Sequence, residues 1–273
     1  MNKEKKLVWT VLGIVISLMH IIPFYLLITT SLKGGDDTSS KWVFPTSFNL
    51  ENFQNAWEQA NMGTALFNNV LITSLSVAML IIFGSLAAYP LARIATKLNR
   101  FMYFAFVAVM IVPPLAILVP LYKFIVDIGG LNTIWAVVLV HVSFWLPLTI
   151  FLYTGFIRST IPAELEEAAM MDGAGPITIF FKVVFPLLKP VTASVIIITG
   201  MFVWNDYQFS VFFLQKAEAH TITVALSVFF SQYSNDVGLV AAGSLLGMMP
   251  MIILFLFLQK YFIQGLAAGS VKG

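Results

Sequence analysis

Residues 158–176 read Arg-Ser-Thr-Ile-Pro-Ala-Glu-Leu-Glu-Glu-Ala-Ala-Met-Met-Asp-Gly-Ala-Gly-Pro and stand between two long apolar blocks. Four of the chain's 13 acidic residues fall between Glu164 and Asp172. Pro162 suits the first turn of a helix, where a missing N–H costs nothing. Glu164, Glu166 and Glu167 favour the positive N-terminal end of that helix, and Gly173 suits its C-terminal cap. Pro176 opens a second short helix expected to reach about Val184, ahead of Pro186. The spacing predicts a helix–Gly–helix element too short to be a domain. Leu165, Ala168, Ala169 and Asp172 share one face, and the small Ala side chains admit close approach of a partner. The same residues fit a plain amphipathic loop at a membrane surface.

Outward from this segment the chain is strongly apolar. Of its 273 residues 59% are hydrophobic and 10% charged, with mean hydropathy +0.90. Soluble domains carry about 25% charged residues, so a soluble enzyme is excluded. Six runs are long enough to cross a bilayer as helices: Leu7–Leu32, Asn69–Leu91, Phe101–Val126, Thr133–Ile157, Pro190–Leu214 and Gly238–Phe262. The expected fold class is therefore all-α, a polytopic membrane protein with six transmembrane helices. The first run is too long for a signal-peptide core and reads as a retained span. The longest outer gap, Lys33–Asn68, holds Gly34-Gly35-Asp36-Asp37 and two Trp, and reads as an interfacial segment. No gap is long enough for a separate soluble domain, so 1–273 reads as a single transmembrane domain.

Charge fixes the expected orientation. With six spans, Lys3, Lys5, Lys6, Arg93, Lys97, Arg100, Arg158, Lys182, Lys189, Lys260 and Lys272 fall on one side, and Lys33, Lys41, Lys123 and Lys216 on the other, which accounts for all 15 basic residues. Basic residues mark the cytoplasmic side, so both termini are expected there.

Several chemistries lack their residues. The chain has no Cys and no Gly-x-x-x-x-Gly-Lys-Ser/Thr loop, which removes thiolate chemistry and P-loop nucleotide binding. Neither a catalytic triad nor a metal-ligand cluster is visible. No catalytic residue, metal or cofactor is expected in this chain, and it is not expected to be an enzyme. Gradient-driven carriers place ionisable groups deep in their helices. Here only His20, His141, Asp206 and, near a span end, Lys123 qualify. Each His reads as an interhelical hydrogen-bonding group, with pore lining or a proton relay as alternatives.

Glu167-Ala168-Ala169-x3-Gly173-x9-Val183-x-Phe185-Pro186 resembles the EAA loop of the membrane subunits of bacterial ABC importers. The spacing matches throughout, and Val183 and Phe185 keep apolar character where the family has Ile and Leu. Other stretches are similar to the carbohydrate-uptake branch of those permeases, in its maltose-permease-G-like half. They are Pro23-Phe24-Tyr25 with Thr30-Ser31-Leu32-Lys33, Ala87-Ala88-Tyr89-Pro90-Leu91-Ala92-Arg93, Pro120-Leu121-Tyr122, Gly130-Leu131-Asn132-Thr133, Trp204-Asn205-Asp206-Tyr207 and Gly265–Gly273. The resemblance covers essentially the whole chain.

The resemblance implies a type I ABC importer permease fold, in a bacterial or archaeal plasma (inner) membrane. It implies a second related permease, two ATPase subunits that bind ATP and Mg, an external substrate-binding protein and a sugar or oligosaccharide substrate. Nucleic acid is not a partner. The loop at about 158–186 becomes the coupling element to the ATPase, through Glu164, Glu166, Glu167, Ala168, Ala169, Asp172, Gly173, Val183, Phe185 and Pro186. The cytoplasmic tail 263–273, with Gly265, Gly269, Lys272 and Gly273, becomes an ATPase contact, although by composition it reads as a frayed end. Trp204, Asn205, Asp206, Tyr207 and Gln208 carry the hydrogen-bonding and aromatic chemistry that a neutral sugar needs, and they are the substrate-pathway candidates. They fit an interfacial aromatic belt with helix-bonding polar groups as well. A secondary carrier, a passive channel and an ABC permease for a non-sugar substrate are the alternatives.

Overall fold

The computed structural model describes residues 3–232 and 236–270, and among them there is no β-strand. The helices are α1 (Lys3–Ser31), α2 (Glu51–Gln59), α3 (Met62–Arg93), α4 (Lys97–Val109), α5 (Leu118–Asp127), α6 (Ile134–Thr160), α7 (Glu164–Met171), α8 (Pro176–Leu187), α9 (Lys189–Trp204), α10 (Ser210–Phe213), α11 (Ile222–Gln232) and α12 (Val237–Ser270).

Four of these, α1, α3, α6 and α12, are individually long and apolar enough to cross a membrane. Six crossings result if each of two bent pairs counts as one. The first pair departs from the continuous third span expected at Phe101–Val126. α4 and the segment Pro114–Asp127 meet at 93°. The cause is Pro113-Pro114. A residue before proline is driven out of the helical region, and Pro113 is extended (φ −64°, ψ 130°). The second pair, α8 and α9, bends by 72° just ahead of Pro190. The fifth span then stops at Trp204, ten residues short of the expected Leu214. Two helices lie where none was expected, α2 in the Lys33–Asn68 gap and α11 after the fifth span.

The chain divides into two compact units. The first holds residues 1–66 and 222–249. In it Asn52 on α2 donates to the Ser31 and Lys33 carbonyls at 3.0 and 2.7 Å, which ties α2 to the end of α1. Gly243 and Gly247 on α12 lie against Leu226 and Ile222 of α11 with no room for a Cβ. Small residues at such crossings let helices approach closely. Along α1, by contrast, apolar side chains from Leu7 to Ile22 are exposed.

The second unit holds residues 67–221 and 250–273. One core cluster gathers Ile72, Leu80, Val137, Val140, Val203 and Phe213, and another gathers Ala88, Tyr153, Ile157, Phe180, Val184 and Leu188. α3 and α6 touch at Gly84, which sits directly on Thr149. Asn132, at φ 60°, accepts from the N–H groups of Gln215 and Lys216 at 2.7 and 2.8 Å and donates its own N–H to Phe213 at 2.7 Å. Asn tolerates this left-handed conformation better than most residues, so Asn132 fastens the α5–α6 turn to the segment after α10.

Candidate functional site

The segment after α6 forms the helix–Gly–helix element. Pro162 stands immediately ahead of the first helical carbonyl, that of Ala163, which accepts from Glu166 and Glu167 at 2.9 and 3.1 Å. At the other end Gly173 takes φ +81°. Its N–H donates to Met170 at 2.9 Å, and the Ala174 N–H donates to Ala169 at 3.0 Å. These paired bonds form the Schellman cap of α7, which needs a residue in the left-handed region. The second helix passes the expected end at Val184 and continues through Pro186 to Leu187. A wide turn over Phe180–Val184, in which Phe185 N–H reaches Phe180 O, precedes Pro186 and accommodates its missing donor.

Within α7 the acids separate. Glu164 and Glu167 are exposed, as are Ala168, Asp172 and Gly173. Glu166 is 4% exposed. Its carboxylate takes Arg93 Nε at 2.7 Å on one oxygen and the Tyr89 hydroxyl at 2.8 Å on the other. Arg93 also donates to the Ile161 carbonyl at 2.7 Å. Three bonds thus clasp α7 and its lead-in to the last turn of α3. Arg158 adds a fourth tie, from α6 to the Leu91 carbonyl at 2.7 Å. Val183 and Phe185 are partly buried against the neighbouring core, and Pro186 is exposed. The exposed face of the element carries Leu165, Met171 and Ile177 besides the acids, with Met171 88% exposed. Such a combined apolar and acidic patch suits a protein partner.

The second candidate region lies at the end of α9. The helix stops because its polar groups are taken locally. Asn69 on α3 donates to the Trp204 carbonyl at 3.1 Å, and the Asn205 amide folds back to Met201 at 2.8 Å. Asp206 accepts from the Phe209 and Ser210 N–H groups at 3.1 and 2.9 Å and from the Ser210 hydroxyl at 2.8 Å. Asp206 is therefore the cap of α10. A cavity of about 360 Å³ opens here, lined by His141, Trp145, Phe202, Asn205, Tyr207 and Gln208 together with Asp206. Trp145 and Phe202 stack at 4.2 Å. His141 Nε2 is 3.7 Å from Asp206 Oδ2, beyond a hydrogen bond, and neither ring nitrogen has a hydrogen-bond partner. The Gln208 amide nitrogen lacks one too. The expected interhelical bond is thus absent at His141, and at His20 the bond is made to Ile16 within its own helix at 2.7 Å. Trp204 is buried and does not line the cavity.

Gly265 and Gly269 lie on α12, which is helical to Ser270, past the span end expected at Phe262. Lys272 and Gly273 lie outside the described residues. Among the described residues no group of His, Cys, Asp and Glu could hold a metal ion. Sequence reading missed Arg93, Tyr89, Asn69 and Trp145 as members of these sites, and gave His141 pore lining only as an alternative. Tyr89 and Arg93 offered one signal, a polar pair at i, i+4 on the last turn of an apolar helix.

The profile of the family described as "Binding-protein-dependent transport system inner membrane component" matches residues 80–268. The chain is 53% identical over 264 residues to the melibiose/raffinose/stachyose import permease protein MelC of Bacillus subtilis (strain 168), covering 97% of this chain and 96% of that one. It is 32% identical over 260 residues to the maltodextrin transport system permease protein MdxG of the same organism, covering 94% and 93%. It is 31% identical over 279 residues to the multiple sugar-binding transport system permease protein MsmG of Streptococcus mutans, covering the whole of both. A chain from the crystal structure of a bacterial ABC transporter involved in the import of the acidic polysaccharide alginate has the same fold. Its TM-score is 0.80 at 21% identity, over 96% of this chain and 99% of that one.

Proposed function

This chain belongs to the family of binding-protein-dependent transport system inner membrane components, and on that premise we propose that it imports a short oligosaccharide as one half of an ATP-driven permease. The observation that carries the substrate class is the near full-length 53% identity to MelC, whose name specifies melibiose, raffinose and stachyose. A second related permease completes the pathway. Two ATPase subunits hold ATP and Mg, and an external binding protein delivers the sugar. The whole chain acts as one transmembrane domain in the plasma membrane, with both termini cytoplasmic.

Exposed Glu164, Glu167, Ala168, Asp172 and Gly173 meet the ATPase. Buried Glu166 instead holds α7 to α3, so that a push on α7 reaches a spanning helix without slack. Transitions of this kind need elements with two discrete packings, and the bends at Pro114 and Leu188 supply places for them. Gly265, Gly269, Lys272 and Gly273 add an ATPase contact. Asn205, Tyr207 and Gln208 face the sugar from the cavity beside His141, where the unpaired Gln208 side-chain amide nitrogen and His141 ring match uncharged hydroxyls. Trp204 and Asp206 hold that turn in shape.

The test is reconstitution in liposomes with the partner permease, the ATPase and the binding protein. Uptake of labelled raffinose is expected only when ATP reaches the ATPase. Saturable uptake by this chain alone under a proton or sodium gradient overturns the reading.

A further inference from the structure

A cavity of about 540 Å³ opens where the ends of α3, α4 and α6 meet. Lys97, Arg100 and Arg158 line it, and no acidic side chain does. Lys97 and Arg100 stand at i, i+3 in the first turn of α4 and so share a face. Thr96 caps that turn through the Asn99 N–H at 3.1 Å, and the positive end of the helix adds to the same field. Arg158 is fixed from the last turn of α6. It donates to the Leu91 carbonyl, and its guanidinium lies over the Tyr103 ring, 5.1 Å from the centroid. A carbonyl and a ring face orient this group while leaving its charge uncompensated.

The surroundings of these cations decide the ligand. Ile94, Leu98, Phe101 and Phe104 are exposed on the same stretch, Phe101 by 67% and Phe104 by 60%. Cations interleaved with bare apolar side chains compose a membrane–water border. A protein interface would instead deplete lysine. We propose that this cavity binds the phosphate-bearing headgroup of an anionic phospholipid. Lys97, Arg100 and Arg158 donate to its oxygens, and its acyl chains lie along Leu98, Phe101 and Phe104. The site goes beyond sugar import and rests on the proposed orientation only for its leaflet, the cytoplasmic one. Basic recesses between spans on that side are suited to anionic headgroups. Because Arg158 is tied to Leu91, two residues before Arg93, an occupied site stiffens the corner from which α7 is held.

The experiment uses the assembled transporter in nanodiscs of mixed phosphatidylglycerol and phosphatidylcholine, followed by detergent washing and native mass spectrometry. The wild type is expected to retain phosphatidylglycerol, and K97Q/R100Q to lose it by roughly tenfold. K97R/R100K is expected to restore it, and K182Q, at an exposed cation of α8 outside the cavity, to leave it unchanged. If the double variant does not assemble, K97Q alone gives the same reading. Equal retention by wild type and variant overturns the proposal. So does displacement of the lipid by excess inorganic phosphate, which makes the occupant a free ion. Loss of ATPase co-purification at unchanged lipid retention makes it a protein acid and likewise overturns it. Retention is read without transport, so failure of sugar uptake leaves this result standing, and cysteine labelling of the wrong face changes only the leaflet.

Discussion

Arg93 Nε and Glu166 Oε1 meet at 2.7 Å, joining the last turn of α3 to a carboxylate 73 residues further along the chain. Both groups are largely removed from water, at 18% and 6% exposure. Removing one partner of such a pair leaves an uncompensated charge and costs about 3–5 kcal/mol where burial is complete. Glu166→Ala is expected to destabilise by about 3 kcal/mol, read as a lowered melting temperature of the detergent-purified chain. Glu166→Gln keeps an acceptor and loses less. The double variant Arg93→Ala/Glu166→Ala is expected to fall short of the sum of the singles, because residues in one network couple. A wild-type melting temperature for Glu166→Ala removes the clasp from the account.

Gly173 isolates the backbone contribution. An added Cβ there meets nothing within 4 Å, while φ is +81°. Gly173→Ala is therefore expected to cost roughly 1 kcal/mol through conformation alone. Gly173→Asn costs less, and Gly173→Pro, whose ring fixes φ near −65°, cannot form the cap. Co-purification of the ATPase and sugar uptake should fall in the order Asn, Ala, Pro. If Gly173→Pro binds the ATPase and transports like the wild type, the α7–α8 element is not the coupling device.

At the end of α9 two neighbouring residues should behave oppositely. Asp206 accepts two backbone N–H groups and a hydroxyl, and hydrogen bonds to a charged group contribute about 1.5–3 kcal/mol each. Asp206→Ala should lower thermal stability and uptake together. The Gln208 amide nitrogen makes no hydrogen bond, so Gln208→Ala should stay within about 0.5 kcal/mol of wild-type stability while raising the KM for sugar severalfold. An unchanged KM takes the cavity off the substrate path.

The orientation is checked by single cysteines at positions 3, 41, 216 and 272, probed in intact cells with an impermeant thiol reagent. Labelling is expected at 41 and 216 only, following the basic-residue bias. A labelled cysteine at 272 reverses the topology.

Truncation after Ile263 removes the end of α12 and the residues beyond it. Assembly with the partner permease should persist, while ATP-driven uptake falls. Uptake at the wild-type rate leaves Gly265–Gly273 without a role at the ATPase.

Much of this architecture follows from elementary patterning. Apolar runs near 20 residues place the spans because only closed hydrogen-bonded backbone is stable in lipid. Gly173 announced its cap because few other residues take positive φ. What escaped reading depends on pairing in three dimensions. Glu164, Glu166 and Glu167 look alike along the chain, yet Glu166 alone turns inward, because only its direction from α7 meets Arg93 and Tyr89. The stop at Trp204 escaped because apolar residues continue to Leu214, and the deciding partners, Asn69 and Asp206, act across space or through a local cap. α2 and α11 escaped for a related reason: α2 is too short and polar, and α11 too short, to register as spans.

The corner between Val109 and Pro114 carries a consequence for hydration. α4 has 13 residues, which places the corner about 20 Å along the third crossing. The helical ladder is interrupted there and Ile111 stands 81% exposed. The N–H groups of Met110, Ile111 and Val112 turn back to Val107, Ala108 and Val109 at 3.1–3.2 Å, but Pro113 and Pro114 bring no N–H to the last carbonyls of α4. A carbonyl without a donor is costly against hydrocarbon, so a second polypeptide or a column of water suits this corner better than acyl chains. Along α1, where the apolar side chains from Leu7 to Ile22 are exposed and the helical ladder is closed, acyl chains meet no such carbonyl.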